Sequence, residues 1–433
     1  MWFLKTLWHA LKGLCRRPYT LRKLNIFAAV VLVLYVLSHI FAGQTENMML
    51  TFCVRWAWVP LSVLFLIIRH GEIITRSRYK KFFKSKNIVG FNGKLPTYIK
   101  TVAFNRYLKK ICFKSRVPLC EWTKNIPCLE MFYKKKIHKI ENPKEAITNT
   151  DIYVIEELLP DYILWSDEFM MNGRQFSIGE GYMGQTVWDA SSLAHGIVAG
   201  ATGGGKTALL RCIIHQAILK KFNIEIFDFK QGGDFVQSEQ EYRKYKDFEA
   251  GYGPMVTAEP KEACDILVSL LVEVRYRLEK FKEAGVTNID EFNALGWNQF
   301  IPWLLVFDEA AEILDVKPKD KIEKELYIEI DQTLRTLARI SRAAGVHILL
   351  GIIRPSHDVI DGQIKNNLLW RACGYFADSA ASKIVLENDR ATELPPNVKG
   401  RFLIGDDEVQ AYYLPLPKEQ TIGSVRVGGA AEP

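Results

Sequence analysis

The chain has 433 residues, 48% of them apolar and 24% charged, which is enough to bury a large core in two or three domains and excludes a disordered protein. Its formal charge of +8 hides a division: the first 145 residues sum to +21, which leaves −13 for the remainder. Eight scattered cysteines form no CxxC pair, so a zinc ribbon or dithiol redox motif is excluded and reduced thiols are expected.

In chain order, residues 1–24 carry six Lys/Arg and no acid. Phe3, Leu4, Leu7, Trp8, Leu11 and Leu14 recur there at helical spacing, a pattern that suits a basic amphipathic helix on an inner leaflet. Two apolar runs follow, 25–42 (NIFAAVVLVLYVLSHIFA) and 48–68 (MMLTFCVRWAWVPLSVLFLII). Each is long enough to cross a hydrocarbon core of about 30 Å. The linker from Gly43 to Asn47 lacks Lys and Arg, whereas both flanks are rich in them. The positive-inside rule therefore predicts a transmembrane hairpin in the cell membrane, with both termini cytoplasmic. Arg55, two turns into the second run, is read as snorkelling to the outer surface.

Residues 69–150 form a basic juxtamembrane segment in which Lys/Arg alternate with Tyr79, Phe82, Phe83, Tyr98, Phe104, Tyr107, Phe113, Trp122 and Tyr133. Two readings stand: a nucleic-acid surface, with cations on phosphates and aromatics on bases, or attraction to anionic lipid headgroups.

From Asp151 the pattern changes to short apolar strands alternating with helices, which predicts an α/β domain on a mostly parallel sheet over 151–417, before a tail at 418–433. Its centre is HGIVAGATGGGKTALL. A strand at Gly196 to Ala199 leads into Gly200, Ala201, Thr202, Gly203, Gly204, Gly205, Lys206 and Thr207, a full G-x-x-x-x-G-K-[ST] match. From Ala208 onward the chain reads as a helix with Leu209, Leu210, Ile213, Ile214 and Ala217 on one face. Glycines let backbone N–H groups approach phosphate oxygens, and the helix N-terminus adds positive potential. The motif thus predicts an ATP site in which Lys206 meets the β- and γ-phosphates and Thr207 ligates Mg²⁺. Downstream, the buried-strand run Trp303 to Phe307 ends in Asp308 and Glu309. On a neighbouring strand, Asp308 would hold Mg²⁺ through water, and Glu309 would orient and deprotonate the attacking water.

Three blocks resemble the FtsK/SpoIIIE family of DNA translocases: SIGEGYMGQTVWDASSLAHGIVAGATGGGKT, VRYRLEKFKEAGVTNIDEFN, and LARISRAAGVHILLGIIRPSHDVIDGQIKNNLLWRACGYF. They lie in the family's order within about residues 175 to 405. The resemblance implies a RecA-like P-loop ATPase, preceded here by the two-helix transmembrane hairpin and assembled as a homo-hexamer around DNA with ATP sites at subunit boundaries. Arg371 matches the family's trans-acting arginine, and Arg354, in the Arg-Pro turn, is a second trans or sensor candidate. Ile352-Ile353 stands where the family has a polar Thr-Gln pair, which removes a side-chain γ-phosphate sensor. The segment DFKQGGD, with Asp228, Lys230, Gly232 and Gly233, also resembles the family but reveals no role by itself. Arg335, Arg339 and Arg342 share a helix face by spacing and offer either a phosphate track or a solvated surface.

The plan of two spans, no Pro/Gln-rich linker and no C-terminal winged helix is similar to the Tcp-type coupling proteins of Gram-positive conjugative elements. That likeness implies delivery of DNA, with little sequence preference, to a conjugative transfer channel, alongside a relaxase or accessory DNA-binding protein and the channel proteins. The alternatives are an FtsK/EssC-like motor for protein secretion and a short chromosome-segregation translocase. An ABC transporter would need an LSGGQ-like signature between Phe222 and Trp303, and a membrane AAA protease would need HExxH; both are absent.

Overall fold

The computed structural model describes residues 21–42, 58–230 and 253–415, apart from 147, 298, 317, 357, 358, 360 and 361, together with the isolated positions 51, 53, 56 and 235. The amphipathic segment before residue 21, the hairpin linker, the start of the second apolar run, Gly232, Gly233 and the tail lie outside the described residues. The chain divides into two compact units, Met1–Glu156 and Glu157–Pro433.

The first unit opens with helices α1 (Leu21–Ala42) and α2 (Trp58–Ser85), which touch each other. Among the described residues no helix is long and apolar enough to cross a membrane, and side chains 21–30 and 61–73 lie outside that description. Strands β1 (Thr97–Ala103) and β2 (Leu108–Lys114) follow, then helices α3 (Leu119–Lys124) and α4 (Ile126–Tyr133), then β3 (Ile137–Glu141) and β4 (Asn149–Ile155). The strands pair antiparallel in the order β1-β2-β4-β3. One face of this sheet is apolar. Ile111 and Phe113 of β2 and Ile152 and Val154 of β4 meet Tyr79 and Phe83 from α2, Trp122 from α3 and Leu129 from α4.

The basic segment is therefore a folded domain, and its aromatic residues are mostly the core of that domain. Phe83, Phe113 and Trp122 are fully buried and meet edge to face or tilted at centroid distances of 5.3 to 5.8 Å. Tyr79, Tyr107 and Tyr98 are buried or half-buried as well. Burying such rings removes 150–250 Å² apiece from water, so apolar association outweighs any use of them as stacking platforms. The domain extends past the change of pattern at Asp151, because Asn149–Ile155 is its fourth strand in chain order. Asp151 points to the polar face, where it accepts from the Lys110 ammonium at 2.6 Å.

The second unit contains β5 (Ile163–Leu164), β6 (Gln175–Gly181), β7 (Gly184–Asp189), β8 (Gly196–Ala199), α5 (Lys206–Leu219), β9 (Asn223–Phe227), β10 (Gly253–Thr257), α6 (Pro260–Ala284), α7 (Ile289–Ala294), β11 (Trp303–Phe307), α8 (Ala311–Leu314), α9 (Lys321–Ile340), β12 (Val346–Ile352), α10 (Gly362–Asn367), β13 (Trp370–Gly374), α11 (Ser379–Leu386), β14 (Arg401–Ile404) and β15 (Asp407–Tyr413). These strands form one eleven-stranded sheet of order β10-β9-β11-β12-β8-β13-β14-β15-β6-β7, with β5 beside β15. From β10 to β13 every pair is parallel. From β13 to β7 every pair is antiparallel, so the sheet is mixed where a mostly parallel one was expected. The reason is local: tight turns at Gly184 (φ 122°) and Gly405 (φ 60°) close two hairpins with no room for a crossover helix.

The parallel half is covered on both faces, which explains strands that are apolar throughout. Ile197, Leu305, Phe307, Ile348 and Leu350 face α6 and α9, while Val198, Leu304, Val306 and Leu349 face α5. Arg277, in the Arg-rich helix α6, is buried and donates to Ile301 O (2.9 Å), Ala344 O (3.1 Å) and Glu273 (2.8 Å). It is a packing clamp. The expected arginine stripe is shorter than its spacing suggested: α9 ends at Ile340, which leaves Arg342 in the following turn, and Arg335 is held by both oxygens of Asp331 at 2.8 Å.

Candidate nucleotide site

The site lies at the carboxyl ends of the parallel strands. Between β8 and α5, Gly203 and Gly205 adopt φ of 80° and 99°, conformations that side-chain-bearing residues rarely take. A Cβ on Gly205 would also sit 2.6 Å from Gly400 N, whose N–H group donates to Gly204 O at 2.8 Å. These contacts fix the loop from outside and leave its inner rim facing a cavity of about 460 Å³. Ala201, Thr202, Gly203, Gly205, Lys206, Thr207, Ala208 and Arg211 line it on the α5 side; Lys230, Asp308 and Ile353 line it from the strand ends.

The acid pair arrives from β11. That strand is not the neighbour of β8, as the sequence suggested, because β12 lies between them. Gly351 on β12 makes the convergence possible: a Cβ there would meet Asp308 O at 2.3 Å and Phe307 O at 2.7 Å. With the acid strand pressed close, Lys206 donates to the Asp308 main-chain oxygen and to its Oδ1 at 2.8 Å. Thr207 Oγ1 lies 3.5 Å from the same carboxylate oxygen. Lys206 is buried (5% exposed), as are Asp308 and Glu309, and a buried ammonium aimed into a cavity implies an anionic partner.

Glu309 is held by a backbone group: Ile353 N lies 3.1 Å from both of its carboxylate oxygens. Burial pushes its carboxyl above the usual range, against the opposing pull of the Ile353 N–H group, Lys206 and Lys230. A carboxylate with a raised pKa suits general-base work near neutrality. The Ile352-Ile353 departure thereby gains a physical reading. Ile352 packs in the core, and Ile353 supplies an N–H group that any residue but proline would supply, with no side-chain donor toward the cavity.

Nucleotide and metal fit what is present. The cradle has backbone amides free of Cβ obstruction and a buried lysine. Among the described residues there is no cluster of three or more His, Cys, Asp or Glu. Thr207 and Asp308 are a sparse oxygen set of the kind that suits Mg²⁺, which keeps waters and takes phosphate oxygens as ligands.

The two arginine candidates stand apart from this cavity. Arg371 donates to Val385 O (3.3 Å), Lys365 O (3.2 Å) and Glu387 Oε1 (3.3 Å), and Arg354 is exposed. The sequence missed Lys230, whose ammonium lies 3.8 Å from Asp308 Oδ2 and 3.7 Å from Glu309 Oε2. Its place in DFKQGGD was visible; the fact that β9 lies beside β11 was not.

Residues 172–301 match the family model described as the FtsK/SpoIIIE family. The solved structure of the pCW3 conjugation coupling protein TcpA, in monomer form with ATPγS, is 32% identical, with a TM-score of 0.58, and the match covers 81% of this chain and 99% of that one. This chain belongs to the FtsK/SpoIIIE family. Among curated relatives, the DNA translocase FtsK of Clostridium tetani is 30% identical over 295 residues, 62% of this chain and 38% of that protein. The DNA translocase SftA of Bacillus subtilis is 29% identical over 213 residues, 48% of this chain and 21% of that one. This family member thus spans less than two-fifths of the length of either relative. Its α/β P-loop ATPase fold is the one expected from the phosphate loop and acid pair.

Proposed function

We propose that this chain is an ATP-driven DNA translocase, anchored in a cell membrane, that delivers DNA to a conjugative transfer channel. The observation that carries the reading is the convergence of Lys206, Thr207 and Asp308 on one cavity at the strand ends, with Glu309 held directly behind its wall by Ile353 N and facing Lys230, both of which line it. The likeness to a conjugation coupling protein, which covers 81% of this chain, supports the conjugative setting. Bound Mg²⁺ would neutralise charge developing on the transferred phosphate. Gly200, Ala201 and Gly204 donate their N–H groups to Ile352 O, Tyr375 O and Ala201 O and so shape the Gly200–Ala208 loop, whose other amides, with Lys206, would hold the phosphates; Thr207 and Asp308 would hold the metal. Glu309 orients the attacking water and accepts its proton on a carboxylate oxygen that the Ile353 N–H group keeps in place.

The apolar runs and their basic flanks support a two-pass anchor with the motor on the cytoplasmic side. A homo-hexamer would let Arg371, or Arg354, reach a neighbour's site once Arg371 leaves its acceptors at Glu387 and Lys365. DNA is gripped with little sequence preference, and a relaxase complex or accessory DNA-binding protein supplies specificity. The test is ATP hydrolysis by the detergent-purified chain with duplex DNA, single-stranded DNA or secreted proteins. DNA should raise turnover, and affinity should fall steeply with salt. Stimulation by protein with indifference to both forms of DNA would overturn the reading in favour of a secretion motor.

A further inference from the structure

Lys230 stands out among the described cations of the second unit. Its ammonium faces two carboxylates at once, at 3.8 and 3.7 Å, both longer than the 2.7–3.2 Å of a made hydrogen bond. Its side chain is 38% exposed. Lys206, by contrast, is already engaged by the carbonyl and carboxylate of Asp308. An ammonium has three donors and no acceptor, so Lys230 keeps its donors available at the cavity wall.

The position of this loosely paired ammonium is nevertheless built. Strands β9 and β11 run side by side, Phe227 stacks on Phe307 at 4.3 Å, and Asp308 N donates to Phe227 O at 3.0 Å. Just beyond, Asp228 N donates to Thr257 O at 3.0 Å. The buried Asp228 carboxylate accepts from the Lys230 and Phe235 N–H groups, each at 3.3 Å. Two strand ends and a bracketing carboxylate thus fix the backbone of Lys230, while its flexible stem lets the charge move. Across the cavity, Ile353 offers no side-chain donor.

From this arrangement we propose that Lys230 contacts the terminal phosphate of a bound nucleoside triphosphate and supplies the discrimination between tri- and diphosphate that Ile352-Ile353 does not. The proposal rests on the ATP-site reading. A terminal phosphate entering between the loop and the acid pair offers Lys230 a more highly charged acceptor than the carboxylates it now faces, and a diphosphate leaves it where it is.

The experiment measures Mg²⁺-dependent affinity for ATPγS and for ADP by titration calorimetry, using the full detergent-purified chain, Lys230→Met, Lys230→Arg and Lys206→Ala. Lys230→Met should weaken ATPγS by about tenfold or more, the worth of a hydrogen bond to a charged group, and shift ADP by less than about twofold. Lys230→Arg keeps the charge and should recover most of that loss. Equal weakening of both nucleotides, or of neither, overturns the proposal. So does a failure of Lys230→Arg to recover any affinity, which would place the effect in loop packing. Lys206→Ala should weaken both nucleotides; unchanged affinity for both in that variant would instead remove the ATP-site reading itself.

Discussion

The two units use charged and aromatic residues in opposite ways. In Met1–Glu156 the cations that made the sequence look like a binding surface are partly matched within the unit: Lys110 by Asp151 at 2.6 Å, Lys135 by Glu156 at 2.7 Å and Lys139 by Glu141 at 2.7 Å. Tyr79, Phe83, Phe113 and Trp122 pack in its core. In Glu157–Pro433, a unit of acidic balance, Lys206 and Lys230 converge with Asp308 on a single cavity, and Lys230 also faces Glu309 at 3.7 Å. Net charge therefore points to the wrong place for chemistry. A fixed local order of residues, held by strand ends, points to the right one.

The largest effects should separate the units cleanly. Lys206→Ala and Glu309→Gln should each lower ATP turnover by about 100-fold or more, the scale seen when a charge-stabilising group is removed, and Glu309→Gln should do so with little change in thermal stability. Undiminished turnover in both variants would sink the assignment. In the first unit the expectation reverses. Trp122→Ala or Phe83→Ala should cost about 3–5 kcal/mol of that unit's stability, because each ring is fully buried among others. Should either variant stay as stable as the parent while binding DNA less tightly, the rings would be stacking platforms and the contrast between the units would fail.

That contrast also explains what was legible in the sequence. The phosphate loop was readable because strand, Gly-rich turn and helix lie within about twenty residues and each is required by its own local physics. The face of α5 with Leu209, Leu210, Ile213, Ile214 and Ala217 was readable for the same reason, and all five are buried. Non-local facts were not readable. The insertion of β12 between β8 and β11, the requirement for Gly351 there and the arrival of Lys230 at the acid pair all depend on strand order, which no window of sequence encodes. The antiparallel half of the sheet was missed because short hairpins and βα units share the same apolar strands. The first unit was missed because Lys/Arg-rich composition masked the apolar face of β2, with Ile111 and Phe113 on the core side and Lys110 on the other, where it meets Asp151.

A smaller effect should appear in the pH dependence of the second unit alone. His195 and His347 are both buried beside the parallel strands; His195 Nδ1 accepts from Ile348 N at 3.1 Å, and His347 Nδ1 donates to Ala194 O at 3.1 Å. Burial, with Arg342 nearby, pushes His195 down to about 4, and burial, with Arg174 and His195 nearby, pushes His347 well below its ordinary value. Unfolded histidines take up a proton below about pH 6.5. Between that pH and about 4 the unfolded state therefore binds more protons than the folded one, and stability must fall as the pH falls. Each histidine contributes up to about 1.4 kcal/mol per pH unit across that window. Carboxylates titrate in the same range, so the informative quantity is the difference between the parent and His347→Leu, whose slope should be shallower by roughly that amount. Hydrogen exchange of the β8 and β12 amides at pH 7, 6 and 5 reads this locally, without interference from the first unit. Equal slopes in parent and variant would mean that His347 carries its proton when folded. The neutral buried pair would then not be what holds β8 and β12 together above pH 6.5.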